Sequence, residues 1–376
     1  MNILIITFTS GVNPGTIMQA LGVQTAMSQM FPNANIEFLS FPDFKQAKRF
    51  GVRGKKDSLW HTVLQKGFAA FRLSKYKKLR SKYFSYTKTI DLFNYTEEDT
   101  EYIKQFDLIV IGSDTILERA IGENGKIGLN WMPLDVPKIY FAASASPANF
   151  RPTSELSEVA ARAKYIGLRD QLTIDYFIRD LGINGNIITR QPDPSYFLDV
   201  AKFNLSNKYA SRFKSGGKYA LYDFNSNFPL RKELADAIRH CGYTVVATAY
   251  NPYADICLDT IDAFDWAGIF PYVDLVVTER FHDSVFGLRN QRPVIAIDWD
   301  ANRFSENGDS KTYRILQDYG LERLHFNLAF NRDLDKIIKA IQNIDVIFDK
   351  DKIDAVNRQI YSKNKEILRC ILESLY

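Results

Sequence analysis

Two short stretches hold the side chains best suited to chemistry. Thr278-Glu279-Arg280-Phe281-His282-Asp283 puts a permanently charged guanidinium two positions from an imidazole, the side chain that titrates nearest neutral pH. Ile166-Gly167-Leu168-Arg169-Asp170 repeats half of that pattern, an apolar run that stops on Arg beside a carboxylate. An Arg fork grips carboxylate or phosphate through two parallel hydrogen bonds. Two such forks, Arg169 and Arg280, would hold one small polyanion between them, with His282 placed to give or take a proton. Each residue also has a plain structural reading. Arg169 could pair with Asp170 or Asp175, Arg280 with Glu279 or Asp283, and His282 could cap a helix that Asp283 would suit electrostatically.

These residues need elements that deliver them to one place. Each Arg closes an apolar run, Asp274-Leu275-Val276-Val277 or Tyr165-Ile166-Gly167-Leu168, and precedes a helical pattern. Such runs read as strands covered on both faces, and an open α/β sheet binds ligands at its strands' carboxyl ends. Strands are expected over residues 2–7, 35–40, 107–111, 138–142, 164–168 and 186–189, then 218–222, 244–247, 275–278 and 294–297. Helical patterns alternate with them, which argues for parallel sheets. The expected fold is α/β, with two Rossmann-like lobes facing a cleft in a GT-B-like arrangement. Residues 1–200 form the first lobe, taken as the acceptor side; residues 210–345 form the second, taken as the donor side. A long amphipathic helix ends the chain within residues 346–376. Residues 44–95, dense in Lys and Arg among aromatics, read as a helical insertion. Its basic face would be solvated, or turned toward an acidic acceptor or anionic lipid headgroups.

Composition narrows the function classes. With 376 residues, 46% of them hydrophobic and 24% charged, the chain matches a globular protein with a sizeable core. A net charge of +4 is small for that length and gives no reason to expect a nucleic-acid partner. Cys241, Cys257 and Cys370 are scattered and odd in number, without a disulfide or zinc pattern, which suggests the reducing cytoplasm. No run approaches the ~20 apolar residues that span a bilayer, so membrane contact is expected to be peripheral at most. The turn Gly11-Val12-Asn13-Pro14-Gly15 lacks the dinucleotide spacing and suits close approach to a ligand or simple chain reversal. Gly112-Ser113-Asp114 and Ala143-Ser144 end strands on small polar residues that would line the cleft. Metal-free chemistry without a resident cofactor is expected.

In order along the chain, six segments resemble the polysaccharide pyruvyl transferase family. They are Asn13-Pro14-Gly15 with its helix, Gly112-Ser113-Asp114 with its strand, Tyr140-Phe141-Ala142-Ala143-Ser144, Arg169-Asp170, Asp193-Pro194, and Thr278-Glu279-Arg280-Phe281-His282. The chain departs from the family pattern at Asp283, where Gly is usual. The resemblance implies transfer of pyruvate from phosphoenolpyruvate, a co-substrate, to two hydroxyls of a glycan or lipid-linked sugar, forming a cyclic ketal and releasing phosphate. It further implies that His282 and Arg280 are catalytic and that Arg169, Arg280 and His282 bind the donor. Asn13, Gly15, Ser113, Asp114, Ser144 and Asp170 would then face the acceptor or line the cleft. The expected location is the cytoplasm, free or at the inner membrane face. The alternative is a metal-independent nucleotide-sugar glycosyltransferase of the same fold, with Glu279 or Asp298 toward the ribose.

Overall fold

The computed structural model describes residues 1–41, 59–90, 96–117, 134–145, 152–301, 309–329 and 332–376. The first lobe is a seven-stranded sheet of β1 (Asn2–Ile6), β2 (Asn35–Ser40), β3 (Tyr86–Thr89), β4 (Leu108–Ile111), β5 (Lys138–Ala143), β6 (Tyr165–Leu168) and β7 (Ile188–Arg190). Its order is β3-β2-β1-β4-β5-β6-β7, with every pair parallel. The second lobe has six parallel strands, β8 (Tyr219–Asp223), β9 (Thr244–Ala247), β10 (Ile256–Cys257), β11 (Leu275–Thr278), β12 (Val294–Asp298) and β13 (His325–Asn327). Their order is β10-β9-β8-β11-β12-β13. Helices cover both faces, so β4, β5, β8, β11 and β12 are buried at every position, as their unbroken apolar runs require.

Strand order reverses between β1 and β4 and again between β8 and β11. Neighbouring strands part at such a point, leaving a crevice at their carboxyl ends. The crevice of the first lobe is flanked by Thr7 and by Gly112-Ser113-Asp114, that of the second by Asp223 and Thr278, which lie side by side in register. This is the α/β, two-lobe, GT-B-like fold read from the sequence, and the long terminal helix is present as Lys350–Leu375. That helix returns toward the lobe junction. Asn357 accepts from the Tyr319 hydroxyl at 2.7 Å and donates to the Leu288 carbonyl at 3.1 Å, while Ile353, Ile367 and Ile371 are buried.

The basic segment supplies the helix Leu59–Tyr83 and then β3, so this helix is the crossover between two parallel strands. Residues 42–58 and 91–95 lie outside the described residues. Several of its cations turn inward. Arg72 Nη1 donates to the Thr248 carbonyl at 2.8 Å and Lys75 Nζ to that of Thr260 at 2.9 Å, both in the second lobe. Arg80 Nη1 donates to the Gly11 carbonyl at 2.7 Å, and Tyr76 is fully buried between them. Among the described residues, no helix is long and apolar enough to cross a membrane.

Candidate functional site

The second-lobe corner begins where β11 stops. Arg280 occupies the N-cap of helix Phe281–Arg289, its backbone N–H donating to Thr278 Oγ1 at 2.9 Å, while its side chain makes no capping bond. Burial favours loss of the guanidinium proton, but the carboxylates Asp223, Asp283 and Glu279 outweigh it and hold the charge more firmly than usual. Asp283 points into the lobe, accepting from Trp266 Nε1 at 3.2 Å and lying 2.7 Å from Thr278 Oγ1. Burial, reinforced by Asp223, pushes Asp283 up to about 7 against the pull of Arg280, Thr278 and His282. The geometry agrees. Thr278 Oγ1 is also 3.1 Å from the Asp223 carbonyl, and its single proton cannot serve both oxygens. Ionised Asp283 accepts from Thr278, and on gaining a proton it can donate to Thr278 and free the Thr278 proton for the carbonyl.

The first-lobe corner, after β6, uses its acidic residue differently. Asp170 caps helix Gln171–Arg179, with one oxygen accepting from Thr173 N at 2.9 Å and Thr173 Oγ1 at 2.8 Å. The other oxygen accepts from Ser144 Oγ at 2.6 Å. Asp170 and Ser144 are thus buried and bonded to each other. Arg169 is freed to reach away from the corner. Its Nη1 donates to Asp193 Oδ2 at 3.1 Å, its Nη2 lies 3.8 Å from Asp114, and its guanidinium sits 4.5 Å from the centre of the Phe281 ring.

The lobes meet at this point. Asp193 Oδ2, already holding Arg169, lies 3.4 Å from His282 Nε2, and Asp193 Oδ1 accepts from Ser195 N at 2.9 Å. Burial alone would raise the Asp193 carboxyl, yet His282, Arg169 and Ser195 hold it well below the usual range, so it stays ionised. The opening turn closes the other side of the imidazole. A Cβ on Gly15 would stand 2.3 Å from His282 Cγ and Nδ1, so only glycine allows this approach. Asn13 fixes the turn by accepting from Gly15 N at 3.1 Å, capping helix Pro14–Met30. Ser113 is buried below it, hydrogen-bonded to Gln19, with its carbonyl accepting from Thr7 Oγ1 at 3.0 Å.

Of the residues proposed from sequence, Arg169 and His282 come together on Asp193, with Gly15 against the imidazole and Asp114 3.8 Å from the Arg169 guanidinium. Arg280 lies among the carboxylates of its own lobe, and Ser144 and Asp170 face inward. Asp193 was not among them. Its only signal was the Asp-Pro match, because nothing local in the chain tells a turn-forming aspartate from one that bridges lobes. A cavity of about 370 Å³ opens beside the cluster, bounded by Arg169, Asp193 and Phe281 on one side and by Lys311, Arg314 and Lys363 on another. Among the described residues, no group of three or more His, Cys, Asp or Glu is placed to hold a metal ion.

Glu279 and Asp298, the carboxylates suited to a ribose, are both engaged. Glu279 accepts from Asn225 N at 2.7 Å and from Trp299 Nε1. Asp298 pairs with His325 Nε2 at 2.7 Å and accepts from Ser310 and Thr312.

Among solved structures, the chain resembles UDP-GlcNAc 2-epimerase from Neisseria meningitidis, with a TM-score of 0.59 at 9% identity over 99% of this chain and 100% of that one. The enzyme of the same name from Methanocaldococcus jannaschii gives 0.52 at 12% identity, covering 94% of each chain. A putative UDP-N-acetylglucosamine 2-epimerase from Listeria monocytogenes gives 0.53 at 10% identity over 95% and 90%. At such identities the likeness establishes the two-lobed fold alone. No curated protein matches the chain in sequence. The model of the polysaccharide pyruvyl transferases matches residues 13–301, from the Asn13 turn through the whole Arg280–His282 corner. The chain belongs to the polysaccharide pyruvyl transferase family.

Proposed function

We propose that this protein transfers the pyruvyl group of phosphoenolpyruvate to two hydroxyls of one sugar in a polysaccharide or its precursor, forming a cyclic ketal and releasing phosphate. The observation that carries this reading is the junction of Arg169 and His282, from opposite lobes, on Asp193. Phosphoenolpyruvate presents a phosphate and a carboxylate close together, which suits guanidinium and imidazole groups gathered at a cleft. In the balanced reaction one hydroxyl proton ends on the methylene carbon, making it a methyl group. The other leaves with phosphate, and both hydroxyl oxygens bond to the former enol carbon. In this reading His282 moves the proton and Arg169 offsets the donor's negative charge, while Arg280 adds positive charge from the second-lobe corner, where the carboxylates of that lobe hold it.

The nucleotide-sugar reading shares the fold, which does not choose between chemistries. The carboxylates it would use, Glu279 and Asp298, already serve their own lobe. Thermal-shift measurements with phosphoenolpyruvate and a set of nucleotide sugars separate the two, since a ligand that binds only the folded state raises the melting temperature. Phosphoenolpyruvate should stabilise the protein and release phosphate when an acceptor glycan is supplied. His282→Ala should reduce that release by about 10²- to 10⁴-fold with little change in melting temperature. Stabilisation by a nucleotide sugar alone, or full turnover by His282→Ala, would refute the assignment.

A further inference from the structure

We propose that Asp193 is a positioning residue of this site, a carboxylate shared by Arg169 and His282 that fixes the imidazole against Gly15. The catalytic consequence rests on the pyruvyl-transfer reading, whereas the coupling between the two side chains does not. Asp193 is 3% exposed, and a buried carboxylate is tolerated only when cations and donors surround it. Here they come from Arg169, His282 and the Ser195 N–H.

The backbone around Asp193 has no freedom to drift. Pro194 opens the 3₁₀ turn Pro194–Phe197, which packs so closely under helix Pro14–Met30 that a Cβ on Gly22 would lie 2.1 Å from the Pro194 carbonyl oxygen. The same helix carries Gly15 in its first turn. One rigid unit of the first lobe therefore contacts the imidazole twice, with Gly15 at Cγ and Nδ1 and Asp193 at Nε2. His282 Nε2 is buried 3.4 Å from Asp193 Oδ2 and has no hydrogen-bond partner among the described residues, which leaves Asp193 as the group it faces. The ionisable groups facing the ring are Asp193 from the first lobe and Asp283 from its own helix, with Arg169 acting through Asp193. The arrangement follows the logic by which a carboxylate orients a working imidazole.

The chain has four histidines, so a ¹³C-histidine spectrum of the whole protein resolves His282 by comparison with His282→Ala. Asp193→Asn keeps the shape and removes the charge. The His282 ring signals should move in Asp193→Asn, because the imidazole is no longer held against Gly15, while those of the other three histidines stay in place. The movement should persist in an Asp283→Asn background, which removes the other ionisable group beside the ring. The kcat for phosphate release should drop about 10- to 100-fold with a smaller change in KM for phosphoenolpyruvate. Unmoved His282 signals overturn the proposal, including the case where Asp193→Asn lowers only the melting temperature. Moved signals in a protein that never releases phosphate from phosphoenolpyruvate refute the donor assignment and leave the coupling standing. If Asp193→Asn does not fold, Asp193→Glu keeps the charge but displaces the oxygen by a methylene. Wild-type kcat in that variant would equally overturn the proposal.

Discussion

The corners after β6 and β11 share one sequence design, an apolar strand that stops on Arg with an acidic residue close behind, and they use it in opposite ways. At the first, Asp170 is spent on its own helix and on Ser144, and Arg169 leaves the corner to reach Asp193 and Phe281. At the second, Arg280 stays among the carboxylates of its lobe, Asp283 turns inward to Trp266 and Thr278, and His282 is the group that reaches out. The difference comes from position on the helix. An acidic residue at the N-cap can bond the free N–H groups of the first turn. Asp283, three positions past the N-cap Arg280, is carried round to the core side instead. Asp283 is therefore part of the lobe's interior.

Three substitutions test this division. Gly15→Ala should have the largest effect, because the new methyl must displace the His282 ring or the turn. A shift of about 1 Å in a reacting group can cost ~10² in kcat. Phosphate release at the wild-type rate would show that the ring is not held where we place it. Asp170→Ala removes a helix cap and leaves the Ser144 hydroxyl unpaired, which should cost about 2 kcal/mol in urea unfolding while the KM for phosphoenolpyruvate stays within about twofold. A large rise in KM would make Asp170 a ligand group after all.

Asp283→Asn should have the smallest effect and the most specific signature. The folded pKa of Asp283, about 7, lies above the ~3.9 of an unfolded Asp. The native state therefore keeps a proton that the unfolded chain has lost, and stability from this group declines as pH rises from about 4 through 7. Asn keeps both hydrogen bonds without titrating. The variant should match wild type near pH 4 and melt several degrees higher near pH 8, at roughly 2–4 °C per kcal/mol. Parallel pH profiles for the two proteins would contradict an inward, protonated Asp283.

The strands plainest in the sequence are those covered on both faces, since burial forces an unbroken apolar run such as Leu275-Val276-Val277. It missed β3, β10 and β13. These lie at sheet edges, run two to four residues, and carry residues such as Lys88, Cys257 and His325 that no core demands. The charged helix Leu59–Tyr83 misled for a related reason. Periodicity shows that Arg72, Lys75 and Arg80 lie on a helix, but not that carbonyls of Thr248, Thr260 and Gly11 wait for them. The site was legible at Arg169 and His282, whose residue types announce chemistry. Asp193, 24 positions from Arg169 and 89 from His282, becomes recognisable only once the fold brings the three together.

The helix Leu59–Tyr83 also sets how this enzyme can move. Two-lobed proteins commonly open like a clamshell, bending at the chain crossings between their halves. Here Arg72 and Lys75 fasten the first lobe to the second. Arg289 fastens the second to the first, donating to the Ser195 carbonyl at 2.6 Å. Parting the halves would strip several charge-assisted bonds at once, each worth about 1.5–3 kcal/mol. Any clamshell opening along that axis must first break these bonds, so they set the cost of widening the cleft.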